Sequence, residues 1–255
     1  MPEHTDPGLV ELLSPARKVL IFAGAGISTS SGIRDYRGPQ GVWKTQDPVY
    51  YQDFLTSEEA RVRYWESKLV EVAACQQAEP NPVHHAIVTL ERAGRLELCV
   101  TQNIDGLHRR AGTSEERLVE VHGTNLLVEC QSCQARSEPG PHLAAFEAER
   151  RAPLCEACGG LLKPATISFG QSLREGDLLR AFAAAEACDL AISLGSTLAV
   201  YPAAGVPATA AQRGTPYVII NRGPTEHDGQ PFVTLRLEGD VTEIFPPAVQ
   251  AACAD

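Results

Sequence analysis

Basic residues, aromatic residues and methionine are all scarce in this 255-residue sequence. Its 22 lysines and arginines are outnumbered by 32 acidic residues, the formal net charge is −10, and no basic run is longer than Arg109-Arg110. A protein that binds duplex nucleic acid needs a basic stripe to displace counterions from the phosphates. The composition therefore excludes direct nucleic-acid binding, whereas an acidic surface is compatible with a basic peptide partner.

Long apolar runs are also missing, and this excludes a membrane-spanning helix. The first residues, MPEHTDPGLVELL, hold no basic cluster followed by an apolar run, so we expect no secretory signal and a cytoplasmic location. In that compartment the eight cysteines should be reduced. We predict that Cys99 and Cys188 are buried as small apolar side chains.

Short apolar runs alternate with helix-like segments along the chain. The runs are apolar on both faces and end in polar or glycine-rich residues, as expected for the buried strands of a parallel sheet. They cover residues 18–22, 96–101, 190–194 and 217–220, with helical patterns at 82–93 and 176–188. The pattern predicts an α/β fold with a doubly wound, Rossmann-like parallel sheet, whose ligand lies beyond the carboxyl ends of the strands.

Two stretches interrupt this alternation. Residues 39–80 are rich in aromatic and charged residues and predict a helical insert, and residues 125–165 contain paired cysteines and predict a zinc-ribbon-like insert. The remaining segments, 1–38, 81–124 and 166–255, are predicted to form the larger Rossmann-like domain.

The first strand runs into a glycine-rich segment, GAGISTSSG, from Gly24 to Gly32. Glycines at such a turn let backbone N–H groups approach a pyrophosphate, and the N-terminus of the next helix favours its negative charge. The spacing resembles a dinucleotide-binding fingerprint without matching it strictly, and many such turns bind nothing. The acidic ribose partner that usually follows is not obvious. Asn221, which follows a later strand, is the candidate to hydrogen-bond a ribose hydroxyl.

Two other short segments carry polar side chains suited to a ligand. Asp35-Tyr36-Arg37 includes a guanidinium whose planar fork suits a phosphate, although the loop could equally be a surface turn. Asn103 and Asp105 follow the second strand, where Asp105 can accept from an amide N–H₂ and Asn103 can orient a water. A helix N-cap is the alternative role for either of these two residues.

His122 follows a short apolar stretch and precedes a glycine in the segment VEVHG. A histidine pKa can lie near neutrality, so His122 is a candidate general base. A histidine considered alone is more often structural, and the other motifs must decide between these two roles.

Two CxxC pairs, Cys130 with Cys133 and Cys155 with Cys158, have the spacing of a tetrahedral four-cysteine zinc site. Four thiolates close the coordination shell, so the predicted zinc is structural. Disulfides are the alternative, which a reducing compartment disfavours.

Taken together and in this order, the motifs resemble the sirtuin family of NAD-dependent protein deacylases. The resemblance runs from Lys18 to about Val241, nearly the whole chain, and also covers the segments TQNIDGLH, GSTLAVYPA and IIN. It implies that the larger domain binds NAD as co-substrate and that acyl-lysine proteins or peptides are the partners. It also implies that His122 is the catalytic base and that Asn103 assists it.

The resemblance further implies a set of binding residues. Those expected to contact NAD are Gly24, Ala25, Gly26, Asp35, Tyr36, Arg37, Gln102, Asn103, Ile104, Asp105, Gly195, Ser196, Asn221, Asp240 and Val241. Those expected to contact the acyl-lysine substrate are Ile167, Phe169 and Val200, with the peptide adding to strands at 166–170 and near Val200. Zinc is expected to take no part in the chemistry.

In the mechanism that the family implies, nicotinamide leaves the ribose and the acyl oxygen of the lysine attacks the exposed carbon. His122 then takes a proton from the ribose hydroxyls, and the products are free lysine and O-acyl-ADP-ribose. The alternative reaction is transfer of ADP-ribose to a protein, and a more distant alternative is an inactive NAD-sensing protein. The departures from the family pattern, Arg34, Ser168 and Gln171, spare the predicted base and the cysteines.

The acyl preference is predicted from the helical insert. Sirtuins that remove acidic acyl groups carry a tyrosine followed three residues later by an arginine, on one face of a helix. Here Tyr64 is present, but Ser67 stands in the place of the arginine and Glu66 adds negative charge nearby. We therefore expect neutral acyl groups to be preferred, with Arg61 as the residue that could reverse this by reaching the pocket.

Overall fold

A computed structural model describes residues 6–38 and 41–254 of the chain. The outer ends of the predicted larger domain, 1–5 and 255, and residues 39 and 40 at the start of the predicted helical insert lie outside this range. In chain order the strands are β1 (Val19–Ala23), β2 (Leu96–Thr101), β3 (Leu118–Glu120), β4 (Gly123–Cys130), β5 (Arg136–Ser137), β6 (Leu162–Thr166), β7 (Leu190–Leu194), β8 (Tyr217–Asn221) and β9 (Leu235–Glu238).

Six of these strands form one parallel sheet in the described part of the chain, in the order β3-β2-β1-β7-β8-β9. Every residue of β1, β7 and β8 is buried, because helices cover both faces of the sheet. The predicted runs at 96–101 and 190–194 coincide with β2 and β7. The prediction of an α/β fold with a Rossmann-like parallel sheet is confirmed.

The described helices are α1 (Pro7–Leu13), α2 (Tyr51–Thr56), α3 (Glu58–Gln77), α4 (Pro82–Arg92), α5 (Leu107–Ala111), α6 (Pro139–Glu149), α7 (Glu175–Ala187), α8 (Gly205–Gln212) and α9 (Val241–Ala252). One face of the parallel sheet packs against α1, α4 and α9, whose buried residues include Leu9, Ile87 and Phe245. The other face packs against α7 and α8, and Ala181 and Val206 lie in that second core. The sheet therefore separates two apolar cores, as in doubly wound proteins.

The start of α4 shows why one helix lies where the sequence predicts it. The side-chain oxygen of Asn81 accepts a hydrogen bond from the backbone amide of Val83 at 3.0 Å, and the backbone amide of Asn81 donates to Nδ1 of His84 at 3.3 Å. Pro82 stands at the first helical position, where its missing N–H costs nothing. The Asn81 side chain also donates to the carbonyl of Ile27 at 2.7 Å, which ties this helix to the glycine-rich turn after β1.

The two predicted inserts contact each other. The segment at 41–80 contains α2 and α3, and the cysteine segment contains α6 and a small antiparallel sheet in the order β5-β4-β6. Phe54, Trp65 and Phe146 are fully buried in one shared apolar cluster that draws on both segments. The rings of Trp65 and Phe146 stack with centroids 6.1 Å apart. Each insert therefore buries apolar surface that neither could bury alone.

One expectation about local structure is wrong. The sequence led us to expect a strand at 166–170 and another near Val200, but β6 ends at Thr166, and Val200 lies in a bend. Ile167 and Phe169 instead lie in the turn that follows β6. The chain turns here, because the amide of Gln171 donates to the carbonyl of Ser168 at 3.0 Å, and β6 therefore does not continue through 166–170.

No helix in the described ranges is both long enough and apolar enough to cross a membrane.

Candidate active site

The glycine and polar residues predicted from the sequence to bind a ligand lie at the carboxyl ends of four neighbouring strands. Gly24 follows β1, Gln102 and Asn103 follow β2, Gly195 follows β7, and Asn221 ends β8. The chain order reverses around β1, because β2 lies on one side of it and β7 on the other. A reversal of this kind opens a crevice at the carboxyl edge of a parallel sheet, where such folds bind their ligands.

The turns after β1 and β7 are in direct backbone contact. Gly24 donates to the carbonyl of Leu194 at 2.9 Å, and Gly26 donates to the carbonyl of Gly195 at 2.8 Å. A side-chain carbon on Gly24 would lie 2.7 Å from the oxygen of Gly195 and 2.8 Å from Cβ of Ser196. Glycine is therefore required here because two backbones meet. Ala25 begins the short 3₁₀ turn between these contacts.

A hydrogen-bonded network joins three residues below this turn. Asn103 donates to the carbonyl of Gly24 at 3.2 Å and lies 3.1 Å from Oγ of Ser28. Ser28 in turn donates to Oδ2 of Asp105 at 2.8 Å. Burial raises the pKa of Asp105, although hydrogen bonds from Leu107 and Ser28 oppose the rise. The network presents amide and carboxyl groups in a dry setting, which suits a small polar ligand such as a carboxamide.

Asp105 has a structural role as well. Its Oδ1 accepts from the amide of Leu107 at 2.9 Å, at the start of α5, while Gly106 in the left-handed conformation forms the formal N-cap. The N-cap of α5 is therefore Gly106 rather than Asn103 or Asp105, although Asp105 does bind the first amide of the helix. Ser28 lies inside the glycine-rich motif, but the sequence does not single it out as a site residue. Its role becomes visible only in the structure, where it lies between Asn103 and Asp105.

His122 lies between the ends of β2 and β6. Its Nδ1 is 3.1 Å from the carbonyl oxygen of Gln102, and its own carbonyl accepts from the amide of Ile167 at 2.7 Å. A carbonyl oxygen can only accept, so Nδ1 carries the hydrogen and Nε2 is the basic nitrogen of the neutral ring. Burial lowers the pKa of His122, and the contact with Gln102 opposes this only in part. The ring is therefore mainly neutral near pH 7 and able to accept a proton.

The Gln102 side chain links the ends of β2 and β7. Its Nε2 donates to Oγ of Ser196 at 2.8 Å, and the same oxygen accepts from the amide of Leu198. Ile104 lies beside this region, and its carbonyl accepts from the amide of Asn125 at 2.9 Å. The two predicted ligand residues Gln102 and Ser196 are thus in mutual contact.

Asn221, Asp240 and Val241 lie at the far end of the same sheet edge. The Asn221 side chain donates to the carbonyls of Arg222 and Gly223 at 3.2 and 3.1 Å. Asp240 is the N-cap of α9, where it accepts from the amide of Thr242, and Val241 is buried in the core. The contacts expected of these residues with NAD stay predictions.

The loop with Asp35, Tyr36 and Arg37 folds over aromatic side chains. Asp35 accepts from the amide of Gly38 at 2.9 Å, which closes the turn. The Tyr36 ring lies 4.9 Å from the ring of Trp43, and the Arg37 guanidinium lies 4.4 Å from the Trp43 ring centre. The loop is therefore an ordered turn, and the exposed Arg37 remains accessible to an anionic ligand.

Two of the three predicted substrate residues, Ile167 and Phe169, lie in the stretch that follows β6. Ile167 is bonded through its amide to His122, and the carbonyl of Phe169 accepts from the amide of Tyr51 at 2.8 Å. The Phe169 ring lies between Trp43 and Tyr50, at 5.2 and 5.9 Å. Val200 lies on another segment, which follows Ser196. The structure therefore places Ile167 next to His122, and Phe169 in an aromatic wall that also holds Trp43.

The four paired cysteines form one cluster. The sulfur atoms of Cys130, Cys133, Cys155 and Cys158 all lie within 4.8 Å of one another, and all four thiols are free of disulfides. The sulfurs of Cys130 and Cys158 are 3.5 Å apart and those of Cys133 and Cys155 are 3.8 Å apart. Tetrahedral zinc with Zn–S bonds of about 2.3 Å separates its sulfurs by about 3.8 Å, so the residues fit that ion. Four protein ligands leave no open position, which indicates a structural metal.

The partners of Arg61 and Glu66 bear on the acyl preference predicted from the sequence. The Arg61 guanidinium donates to the carbonyls of Phe54 and Leu55 at the end of α2. Glu66 is half-exposed and lies 3.9 Å from Arg150. The expectations that Arg61 could reach the pocket and that Glu66 adds charge to it are therefore not supported by these positions. Each of the two side chains is held by partners outside the cleft.

The fold and the cleft define an α/β enzyme that binds a dinucleotide and carries a structural four-cysteine metal site. The chain matches the model of the Sir2 family over residues 24–202. It is 38% identical over 241 residues to NAD-dependent protein deacetylase 1 of Bradyrhizobium diazoefficiens, with 94% of each chain covered. It is 41% identical over 215 residues to NAD-dependent protein deacetylase 2 of Streptomyces coelicolor, covering 82% of this chain and 88% of the relative.

Solved structures agree with these relatives. A Sir2 structure with a p53 peptide and NAD⁺ has a TM-score of 0.84 at 34% identity, with 96% of each chain covered. Another, with a deacetylated p53 peptide and 3′-O-acetyl ADP ribose, has a TM-score of 0.86 at 33% identity and covers 95% of this chain and 96% of the other. The chain belongs to the Sir2 family. Its activity is that of an NAD-dependent protein deacetylase.

Proposed function

We propose that the protein removes acyl groups from lysine side chains of proteins or peptides with His122 as the general base and Asn103 as its assisting residue. The bond from Nδ1 of His122 to the carbonyl of Gln102 carries this proposal, because it leaves Nε2 as the basic nitrogen. The lowered pKa of His122 keeps that nitrogen unprotonated at neutral pH. Asn103, held by Gly24 and Ser28, has a fixed amide to orient a water or a ribose hydroxyl.

The cleft residues have separate roles in binding NAD. NAD supplies the ribose carbon that the acyl oxygen attacks. The turns at Gly24 to Gly26 and at Gly195 and Ser196 lie against the phosphates, where the backbone amides of Ala25 and Ser196 can donate, with Arg37 as the cationic partner. Gln102 and Asn221 hydrogen-bond the two riboses, and Asp240 with Val241 lies near the adenine. Ala25, Asp35, Tyr36, Ile104 and Asp105 complete the wall around the nicotinamide and its ribose.

The acyl-lysine substrate lies along Ile167 and Phe169 on one side and Val200 on the other. This placement is supported by the contact between Ile167 and His122 and by the relatives whose structures contain p53 peptides. Backbone groups of these two loop segments can pair with a peptide strand. The aliphatic stem of the lysine then lies against apolar side chains while its acyl group reaches the base.

We propose that residues 1–38, 81–124 and 166–255 belong to the NAD-binding domain, that 39–80 are a helical insert and that 125–165 are a zinc-ribbon-like insert. The apolar cluster of Phe54, Trp65 and Phe146, which draws on both inserts, supports this division. The zinc in the second insert stabilises the fold and stays outside the chemistry. The free thiols of the cysteines are compatible with a cytoplasmic location.

An assay with NAD labelled in its adenosine half tests the proposed reaction. The purified protein is incubated with one acetyl-lysine peptide, and the label is followed in small molecules and in protein. The expected result is free lysine in the peptide and label in O-acetyl-ADP-ribose. Label found in protein with no loss of the acetyl group would assign the protein to ADP-ribose transfer and overturn the proposal.

A further inference from the structure

The inner face of α3 carries a buried ion pair that the proposed chemistry does not use. The Lys68 side chain is almost fully buried, and its Nζ lies 2.6 Å from Oε2 of Glu71 and 3.2 Å from Oδ1 of Asn125. Burying a lysine is costly unless its charge is compensated, and here the Glu71 carboxylate compensates it. The position of the pair relative to the cleft suggests what it does.

Two contacts place Lys68 between the substrate segment and the nicotinamide wall. Its Nζ lies 5.4 Å from the ring of Tyr64, whose hydroxyl is 2.8 Å from Oγ1 of Thr166, the residue before Ile167. On the other side, Asn125 accepts from Lys68 and donates its backbone amide to the carbonyl of Ile104. The ammonium group is therefore linked through Tyr64 to Thr166, at the start of the proposed lysine-binding segment 166–170.

The loop over the cleft is electrostatically coupled to this pair. Burial raises the pKa of the Tyr36 phenol, and the Glu71 carboxylate raises it further, while Lys68 acts in the opposite direction. Tyr36 belongs to the wall that the proposed function places around the reacting ribose. The charges of the pair thus act on a group that would lie beside the reacting ribose.

Glu71 cancels the charge that Lys68 would otherwise present. Burial lowers the pKa of Lys68, but the Glu71 carboxylate together with the phenols of Tyr64 and Tyr36 raises it above its usual range, so the ammonium stays charged and paired. The Glu71 side chain is 29% exposed and that of Lys68 is 6% exposed, so the acid screens the cation from the more open side. A carboxylate that approached the pair from its more exposed side would be repelled by Glu71.

We infer that Glu71 is a specificity-determining residue that holds Lys68 in a closed ion pair and thereby restricts the enzyme to neutral acyl groups. An acyl group that ends in a carboxylate needs a cation as its partner. Lys68 is such a cation, but it is already paired with Glu71. The inference rests on the proposed function, because it concerns the acyl group of the same substrate. It also gives a physical basis for the expected neutral preference that is independent of Ser67, whose hydroxyl donates to the carbonyl of Tyr64.

Kinetics on one peptide carrying either acetyl-lysine or succinyl-lysine test the inference. In Glu71→Gln the succinyl-to-acetyl ratio of kcat/KM should rise about tenfold or more over the wild-type ratio, as expected when a hydrogen bond to a charged group is gained. The matched control is Glu66→Gln, which removes the same charge from the outer face of α3 and should leave the ratio unchanged. In the double variant Lys68→Gln with Glu71→Gln the gain should disappear.

The outcomes separate the inference from the function on which it rests. A wild-type enzyme that fails to remove acetyl from lysine with NAD would overturn the proposed function, and the inference with it. An active wild type whose ratio is unchanged in Glu71→Gln, or a gain that persists in the double variant, would overturn the inference alone. If Glu71→Gln does not fold, Glu71→Asp decides, because its shorter carboxylate loosens the 2.6 Å contact and should raise the ratio by a smaller factor.

Discussion

Gly26 and Gly195 meet backbone to backbone, and this contact joins the turns that follow β1 and β7. The Gly26 amide donates to the Gly195 carbonyl at 2.8 Å, and a side-chain carbon on Gly26 would lie 2.8 Å from Cα of Gly195. Gly195 also has φ of +60°, and a side-chain carbon there would lie 2.6 Å from the amide nitrogen of Ile27. Neither position can accept a larger residue without moving the two turns apart.

Gly26→Ala should therefore weaken NAD binding by about tenfold or more, because the amides that would contact the phosphates belong to the displaced turns. Isothermal titration calorimetry with NAD measures the change. Gly176→Ala is the control, since it lies in α7 with open space around the added carbon and should bind NAD normally. Equal affinity in Gly26→Ala and the wild type would show that the contact does not shape the site.

His122→Ala should lower the deacetylation rate by about two to four decades, the usual effect of removing a general base. NAD affinity should change little, because phosphate and ribose binding is assigned to other residues. His85→Ala, an exposed histidine on α4, is the matched control and should retain full activity. Loss of NAD binding in His122→Ala would give this residue a structural role.

Removal of zinc should unfold the small antiparallel sheet and its neighbours. Structural four-cysteine sites contribute on the order of 10 kcal/mol of folding free energy, and Cys130 and Cys155 lie in the apolar cluster shared by both inserts. We expect one zinc per chain by metal analysis and a large fall in melting temperature for Cys155→Ala. Cys253→Ala, outside the cluster, should retain both zinc and stability. Active protein that contains no zinc would refute the assignment.

The buried pair His84 and His108 should make the protein unstable in acid. Burial lowers the pKa of His84 to about 4 and that of His108 well below its usual value, and the two rings are 4.9 Å apart. A histidine whose folded pKa is lowered stabilises the fold above its unfolded pKa of about 6.5 and loses that contribution as pH falls towards the folded value. For His84 alone this amounts to about 3 kcal/mol.

Urea unfolding between pH 7 and pH 4 measures this dependence, and the free energy of unfolding should fall throughout that window. Other groups also titrate there, so the comparison that decides is His84→Gln against the wild type. The variant should lose less stability between pH 7 and pH 4, whatever its starting value. Parallel curves for the two proteins would show that His84 is not a source of the acid sensitivity.

The sheet, the metal site and the order of the motifs could all be predicted from the sequence. The strands β2 and β7 begin and end where their apolar runs do, because a strand covered on both faces must be apolar throughout. The four cysteines could be paired because a metal site requires ligand spacing that is local within each CxxC pair. Apolar strands and CxxC pairs each depend on a short stretch of chain and can therefore be identified from sequence. The ends of the predicted strands then indicate where the ligand residues lie.

The tertiary structure alone decided the contacts between residues far apart in the chain. It placed Trp65 against Phe146, Ser28 between Asn103 and Asp105, and the Lys68–Glu71 pair beside Asn125. A polar residue within an otherwise ordinary helix does not reveal whether it faces water or a cleft. Burial and partners are set when distant elements pack, and a buried charge is tolerated only where that packing supplies its counter-ion.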